Sequence, residues 1–229
     1  MGVTLMNEGL LERVWEYREE TLYPRLFGDI ARGIFVIPHE MFFNTFAQTD
    51  VDPRWLHYGV YEYAPKHDRS SWVYVTSGMS TPWEADEANP GALSGLGCEF
   101  VLESSTQGDW AIRRLWQLMA YQILLCHGRY PGREPLGVFD RFPLRSPIWD
   151  SESDIRSLMI APGDPMIGTQ QLESGSFELL RVVGIADPEA VYARLHGGDA
   201  LVQRLLTAAA FPVTDPTRQS LALGNDPSQ

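Results

Sequence analysis

The chain has 229 residues, 44% of them hydrophobic and 21% charged, with a formal net charge of −12. That length can bury a real core in one large domain or two small ones, and the composition is that of an ordinary soluble globular protein. Thirty acids against 18 bases argue against nucleic acid or an anionic membrane as partner, because phosphate binding needs clustered Lys and Arg. So acidic a surface suits solubility in itself, and beyond that a basic protein partner.

In chain order, Glu8–Phe27 is predicted to be helical, with Leu11, Val14, Trp15, Arg18, Leu22 and Leu26 along one stripe. Asn7 stands as its N-cap and Gly28 as its stop, and Pro24 is expected to kink or shorten it near Tyr23. Ile34–Ile37 reads as a short strand, whereas Met41–Ala47 is aromatic-rich and ambiguous. Pro53–Ala64 alternates aromatic and apolar residues on both parities, which predicts a strand covered on both faces. It should pair as a hairpin with Trp72–Thr76, an aromatic and β-branched run closed by Ser77-Gly78.

The chain is organised around that strand and its return, Gly97–Glu103. In the return strand Cys98, Phe100 and Leu102 should be buried while Glu99, Val101 and Glu103 face out. Between them Thr81–Leu93 is a 13-residue loop with Pro82, Trp83, Glu84, Asp86, Glu87 and Asn89-Pro90-Gly91. Loops of that length are often functional or mobile. Asp109–His127 is the clearest helix, repeating Ile112, Leu115, Trp116, Met119, Ile123 and Cys126, with Arg113, Arg114, Gln117 and Gln122 on its wet side and Gly128 as C′. Further strands are expected over Leu136–Phe142, Ile155–Ile160 and Phe177–Ile185. Two helices follow, Pro188–Leu195 behind an Asp187 cap and Ala200–Ala210 behind Asp199. The proline-bearing stretch 212–229 reads as an irregular, fraying tail. With no repeat or linker in view, one α+β domain over 1–229 is the simplest organisation, a mixed, mainly antiparallel sheet covered by helices.

Catalytic and metal motifs find little support. None of the five histidines (His39, His57, His67, His127, His196) has zinc spacing, and His127 at a helix end needs no role beyond a C-terminal cap. Gly95-Leu-Gly-Cys98-Glu lacks the second flanking glycine of a nucleophile elbow, and no Lys follows the local glycines as a phosphate loop requires. Cys98 and Cys126 lie in apolar contexts without Cys-x-x-Cys spacing, so two buried, reduced thiols are expected. Residues 1–7 do not form a secretion signal and no apolar run approaches a membrane span, which points to the cytoplasm. No cofactor or metal is expected, and no enzymatic activity. Trp83, among three acids, is either folded onto the core or presented to a partner.

The motifs Thr76-Ser-Gly-Met-Ser80 and Pro90-Gly-Ala-Leu-Ser-Gly-Leu-Gly-Cys-Glu99 resemble the strand–loop–strand of suppressor of fused domains. The similarity continues through Trp110–Leu125, Asp150–Ile160, Phe177–Glu189 and Gly197–Leu206, covering about 55–218. It implies a suppressor-of-fused N-terminal-lobe-like α+β domain without catalytic machinery. The family's animal member clamps a transcription-factor peptide as an added strand between two lobes. This chain has one lobe's worth of sequence, as bacterial-type members do, and those resemble immunity proteins that neutralise a partner toxin. Trp83 falls beside the family's peptide site, and Gly91 stands where the animal protein has an acid. The expected role is a non-enzymatic protein-binding module, possible contacts being Trp83, Glu84, Asp86, Glu87, Glu99 and Glu103. The alternative is an enzyme or small-ligand-binding protein using Cys98 or a pocket under the 81–93 loop.

Overall fold

Nine strands form one mixed sheet among the described residues, 3–85, 87–163 and 167–223, of a computed structural model. They are β1 (Ile30–Val36), β2 (Gly59–Tyr63), β3 (Trp72–Ser77), β4 (Leu93–Ser104), β5 (Arg141–Pro143), β6 (Ile155–Ala161), β7 (Thr169–Leu172), β8 (Gly175–Ala186) and β9 (Val213–Thr214). The order is β1-β2-β3-β4-β8-β6-β5, with β7 on β8 and β9 on β4. Only β4–β8 and β4–β9 are parallel. The predicted hairpin forms, Tyr61 lying opposite Val75, and β3 neighbours β4 with Val75 opposite Val101. The architecture is therefore the expected α+β one, a mainly antiparallel sheet under helices.

Period-two burial explains the layers. Val60, Tyr74, Phe100, Leu102, Leu158, Ile160 and Val182 face α4 (Asp109–Cys126) and α3 (His39–Phe46) across the largest core cluster. The opposite face is covered in two places. Tyr61, Tyr63, Val73, Val75, Val101 and Phe177 pack under the N-terminal helix through Leu10, Val14, Leu22, Tyr23 and Phe27. Met159, Ala161, Val183 and Ile185 pack under α5 (Asp187–His196) and α6 (Gly198–Thr207).

That second cover corrects several expectations. The Glu99–Val101–Glu103 face of β4 is not exposed: Glu99 and Val101 are buried and Glu103 largely so, because β4 lies mid-sheet beneath the N-terminal helix. That helix starts before Asn7, as α1 (Val3–Glu16), and continues past Pro24 to the end of α2 (Tyr23–Phe27) through a π-turn, Tyr17–Leu22. The Tyr23 N–H reaches back to the Arg18 carbonyl, a wider turn that accommodates the proline without breaking the helix. Pro53–His57 is a 3-10 turn capped by Asp52, which accepts from the Arg54 N–H at 2.9 Å, so the strand begins only at Gly59. Of Leu136–Phe142 only the end is strand, since Gly137–Asp140 closes a turn through the Asp140 carboxylate. Gln122 is buried rather than wet, accepting from the Leu136 N–H at 2.8 Å. Neither Asp187 nor Asp199 is a cap; Glu189 reaches back to the Ala186 N–H instead, and Gly197 precedes α6.

The tail is also ordered over part of its length. β9 adds to β4 beside Glu103 and Ser104, and Thr214 Oγ1 accepts from the Gly184 N–H at 3.0 Å. Beyond it Arg218 makes two 2.6 Å bonds to the buried Glu189 carboxylate and a third to the Gly184 carbonyl. Burial alone would raise the Glu189 pKa; the Arg218 bonds and charge, with the Ala186 and Leu221 amides, outweigh it and hold the carboxyl below its ordinary range. A depressed carboxylate contributes stability above its unfolded pKa and loses it as pH falls through the folded one. Arg218→Ala should therefore cost about 3–5 kcal/mol by leaving a buried charge unpaired. In thermal melts the wild-type advantage over this variant should be full near neutrality and shrink below about pH 4. A melting temperature unchanged by the substitution at pH 7 would show that the tail is not clasped.

Candidate functional site

The loop predicted to carry function is built on a buried carboxylate. Glu99 is wholly buried and accepts from the Thr76 hydroxyl at 2.6 Å, the Gly78 N–H at 2.9 Å, and the Ser80 N–H and hydroxyl at 2.8 Å each. Arg18, also fully buried, stands 4.0 Å from Glu99 and donates to Ser80 Oγ at 2.9 Å, Thr81 Oγ1 at 3.2 Å and Glu19 at 3.0 Å. Burial alone would lower the Arg18 pKa, but Tyr23, Glu99 and Glu19 more than compensate, and the guanidinium stays charged. Two glycines let this turn close. At Gly78 (φ 134°) a Cβ would lie 2.3 Å from the Tyr58 ring, and at Gly95 (φ 56°) 2.4 Å from the Met79 carbonyl. The Leu96 N–H then reaches the Met79 carbonyl, and the Ser94 hydroxyl the Ser80 carbonyl, both at 2.6 Å.

From this base the 81–93 loop overhangs a cleft of about 290 Å³. Tyr58, Trp55, Pro82, Leu93 and Leu96 give it apolar walls, with Arg54 and His127 at its polar edge. Trp83 serves both roles considered for it. It is half-buried, its ring T-shaped against Trp15 with centroids 5.6 Å apart and its indole N–H donating to the Tyr58 hydroxyl at 2.9 Å, yet it also lines the cleft. Burial raises the Tyr58 pKa, which keeps the phenol neutral. Glu84 is exposed and ion-paired to Arg54, which is itself held by Asp52 at 2.6 Å. Glu87 is exposed, and Asp86 lies outside the described residues.

The other two expected contact residues are not at the surface of this cleft. Glu99 lies inside, spent on the turn. Glu103, four residues along β4 and hence about 13 Å away, accepts from Ser71 Oγ at 2.7 Å and pairs with Arg181 at 2.5 Å. Sequence reasoning missed Arg54, Tyr58 and Leu93 as cleft residues, because nothing local distinguishes them from packing residues. Arg18 did leave a signal, a charge on an otherwise apolar helical stripe.

Cys98 is buried facing α4, where Gln122 approaches its sulfur at 3.6 Å, and burial pushes its thiol pKa up to about 12. His127 caps α4 as expected, donating its ring Nδ1–H to the Ile123 carbonyl at 2.8 Å. Among the described residues no helix is long and apolar enough to cross a membrane.

Residues 54–219 match the family described as suppressor of fused protein, well over half of the chain. The chain belongs to the suppressor of fused family. Three solved structures share its fold. A structure of the Sufu–Fu complex is similar with a TM-score of 0.62 and 19% identity, over 92% of this chain and 91% of that one. Drosophila Suppressor of Fused gives a TM-score of 0.55 at 20% identity over 71% of this chain. The match spans 42% of the Drosophila chain's length, well under half of that protein. A homologue from Neisseria gonorrhoeae FA 1090 gives 0.51 at 19% identity, over 81% of this chain and 95% of that one. A search of curated proteins gives no match.

Two outcomes follow from this geometry. Glu99→Ala should destabilise the fold by about 3–5 kcal/mol, because it strands the buried Arg18 charge and several donors. Urea melts measure the loss, and hydrogen exchange should quicken first at residues 78–80; wild-type stability in this variant would refute the role of the hub. Cys98 should resist iodoacetamide at neutral pH in the folded protein and react once unfolded in urea, as a buried thiol of raised pKa must. Rapid alkylation of native protein would reverse that conclusion.

Proposed function

We propose that the chain is a non-enzymatic protein-binding module that takes a peptide or loop of a partner into the cleft beneath residues 81–93. The observation that carries this is the cleft itself: an aromatic and aliphatic trough lined by Trp83 and Glu84, under a loop whose base is fixed by buried hydrogen bonds and on which Glu87 is exposed. Aromatic anchors in a preformed pocket with a charged rim are the usual anatomy of a binding hot spot. We add Asp86, of the same loop in the sequence, as a further acidic contact. The solved Sufu–Fu complex supports protein recognition as what this fold does.

The finer reading is a cytoplasmic immunity protein, one domain over its whole length, that neutralises a basic partner toxin. Net charge −12 and the bacterial homologue of the same fold support it. A gene for a large toxin-like chain beside this one favours that reading, and a metabolic operon counts against it.

A random-peptide display library panned on the wild type supplies ligands for the test. Trp83→Ala and Leu93→Asp should each weaken the selected peptides by about 2 kcal/mol or more. Leu93 is 69% exposed, so its replacement leaves the fold intact, and Leu195→Asp, at an equally exposed position on α5, should change nothing. Lysine in place of Glu84 and Glu87 should slow association with basic ligands. Selected peptides that bind all these variants as they bind the wild type would overturn the proposal.

A further inference from the structure

A second cleft, of about 280 Å³, lies elsewhere on the molecule and shares no lining residue with the first. It opens between the end of α3, the middle of α4 and the edge strand β5. Its floor is aromatic. Phe46 stacks on Tyr121 at 6.0 Å with 17° between the rings, and the Phe142 ring centroid lies 5.3 Å from that of Tyr121. Three arginines line this floor, Arg133 from the loop after α4 and Arg141 and Arg145 from β5 and the residues just past it. No Asp or Glu is among the residues lining it, although the chain carries 30 acids to 18 bases. Arg133 is steadied by a 3.1 Å bond to the Tyr121 hydroxyl. Arg141 and Arg145 are exposed, and their side chains make no hydrogen bond or ion pair among the described residues.

The geometry points to a second recognition site, an arginine-rimmed aromatic cleft that docks a short acidic segment of a partner protein, with carboxylates on the arginines and an apolar or aromatic side chain on the Tyr121 floor. Guanidinium forks match carboxylates in pairs, and two of these three have no competing partner to give up. A rigid ring floor supplies contact area at little entropic cost. Oligonucleotide is disfavoured because its charge continues past the three arginines onto a surface of net negative sign, whereas a short acidic segment confines its charge to the cleft. This site stands whether or not the 81–93 cleft binds anything.

The test uses the whole chain and four probes: a labelled peptide alternating Glu and Phe, its Lys-for-Glu counterpart, inorganic phosphate and a single-stranded oligonucleotide. The acidic peptide should shift the amide resonances of Tyr121, Arg133 and Phe142, and its affinity should fall as salt rises. The joint substitution Arg141→Glu and Arg145→Glu should weaken it roughly tenfold or more, while Trp83→Ala leaves it unchanged. If the charge-reversed protein fails to fold, the wild-type resonance map decides, through the contrast between the Glu and Lys peptides. Equal binding of both peptides, or no effect of charge reversal in folded protein, would overturn the inference. So would phosphate or oligonucleotide occupying the cleft as tightly as the acidic peptide, since the site would then read anions rather than a protein segment.

Discussion

The carboxylate of Glu99 is the constraint on which the rest depends. An ionised group wholly removed from water is tolerable only when its oxygens are fully engaged and a counter-charge is near. Glu99 meets that condition by drawing together four donors from the 76–80 turn and the guanidinium of a residue far earlier in the chain, Arg18. The N-terminal helix is thus fixed to the sheet by charge as well as by Leu10, Val14 and Leu22. The turn is fixed too, and with it the direction in which the 81–93 loop leaves the sheet. The residues flanking the loop, Ser80 and Ser94, are held by buried hydrogen bonds, whereas Glu84 and Glu87 on it are exposed.

Much of this was legible in the sequence, and the failures share a cause. Alternation located β3, β4, β6 and β8, and helical spacing located α1 and α4, because those signals are local. The exposed-face reading of Glu99 and Glu103 failed because alternation cannot reveal whether a second layer covers the other side of a strand. The short β7 and β9 were missed because Thr-Gln-Gln-Leu and Val-Thr carry little pattern of their own and become strands only by pairing with β8 and β4. Trp83, the odd residue of the loop in the sequence, lines the cleft. Its aromatic neighbour Trp15 and the wall formed by Tyr58 come from other parts of the chain, beyond any local reading.

The charge distribution has more structure than a net value of −12 suggests. Several arginines are spent internally, Arg18 under the turn, Arg181 on Glu103 and Arg218 on Glu189. Each takes a glutamate inside with it, so the surface keeps the net negative sign of the whole chain, and Arg141 and Arg145, whose side chains make no ion pair among the described residues, contrast with it. Exposed acids on the 81–93 loop and an arginine-lined cleft elsewhere are patches of opposite sign, and orientation of an encountering partner depends on such contrast more than on total charge.

The parallel seam between β4 and β8 bears on how the chain comes to exist in a cell. Glu99 lies beside Leu179, and the tail at Val213 returns to Glu103, so the middle strand of the sheet waits for segments made much later. During synthesis the β1–β4 meander emerges first with one side of β4 unmatched, and pairings so distant in sequence are the slowest to close. Until the later strands leave the ribosome, the half-built sheet exposes a ladder of backbone donors and acceptors, the state most open to chaperones and to mispairing. The short β9 strand and its arginine clasp, the latest of these segments to be made, come at the end of this order.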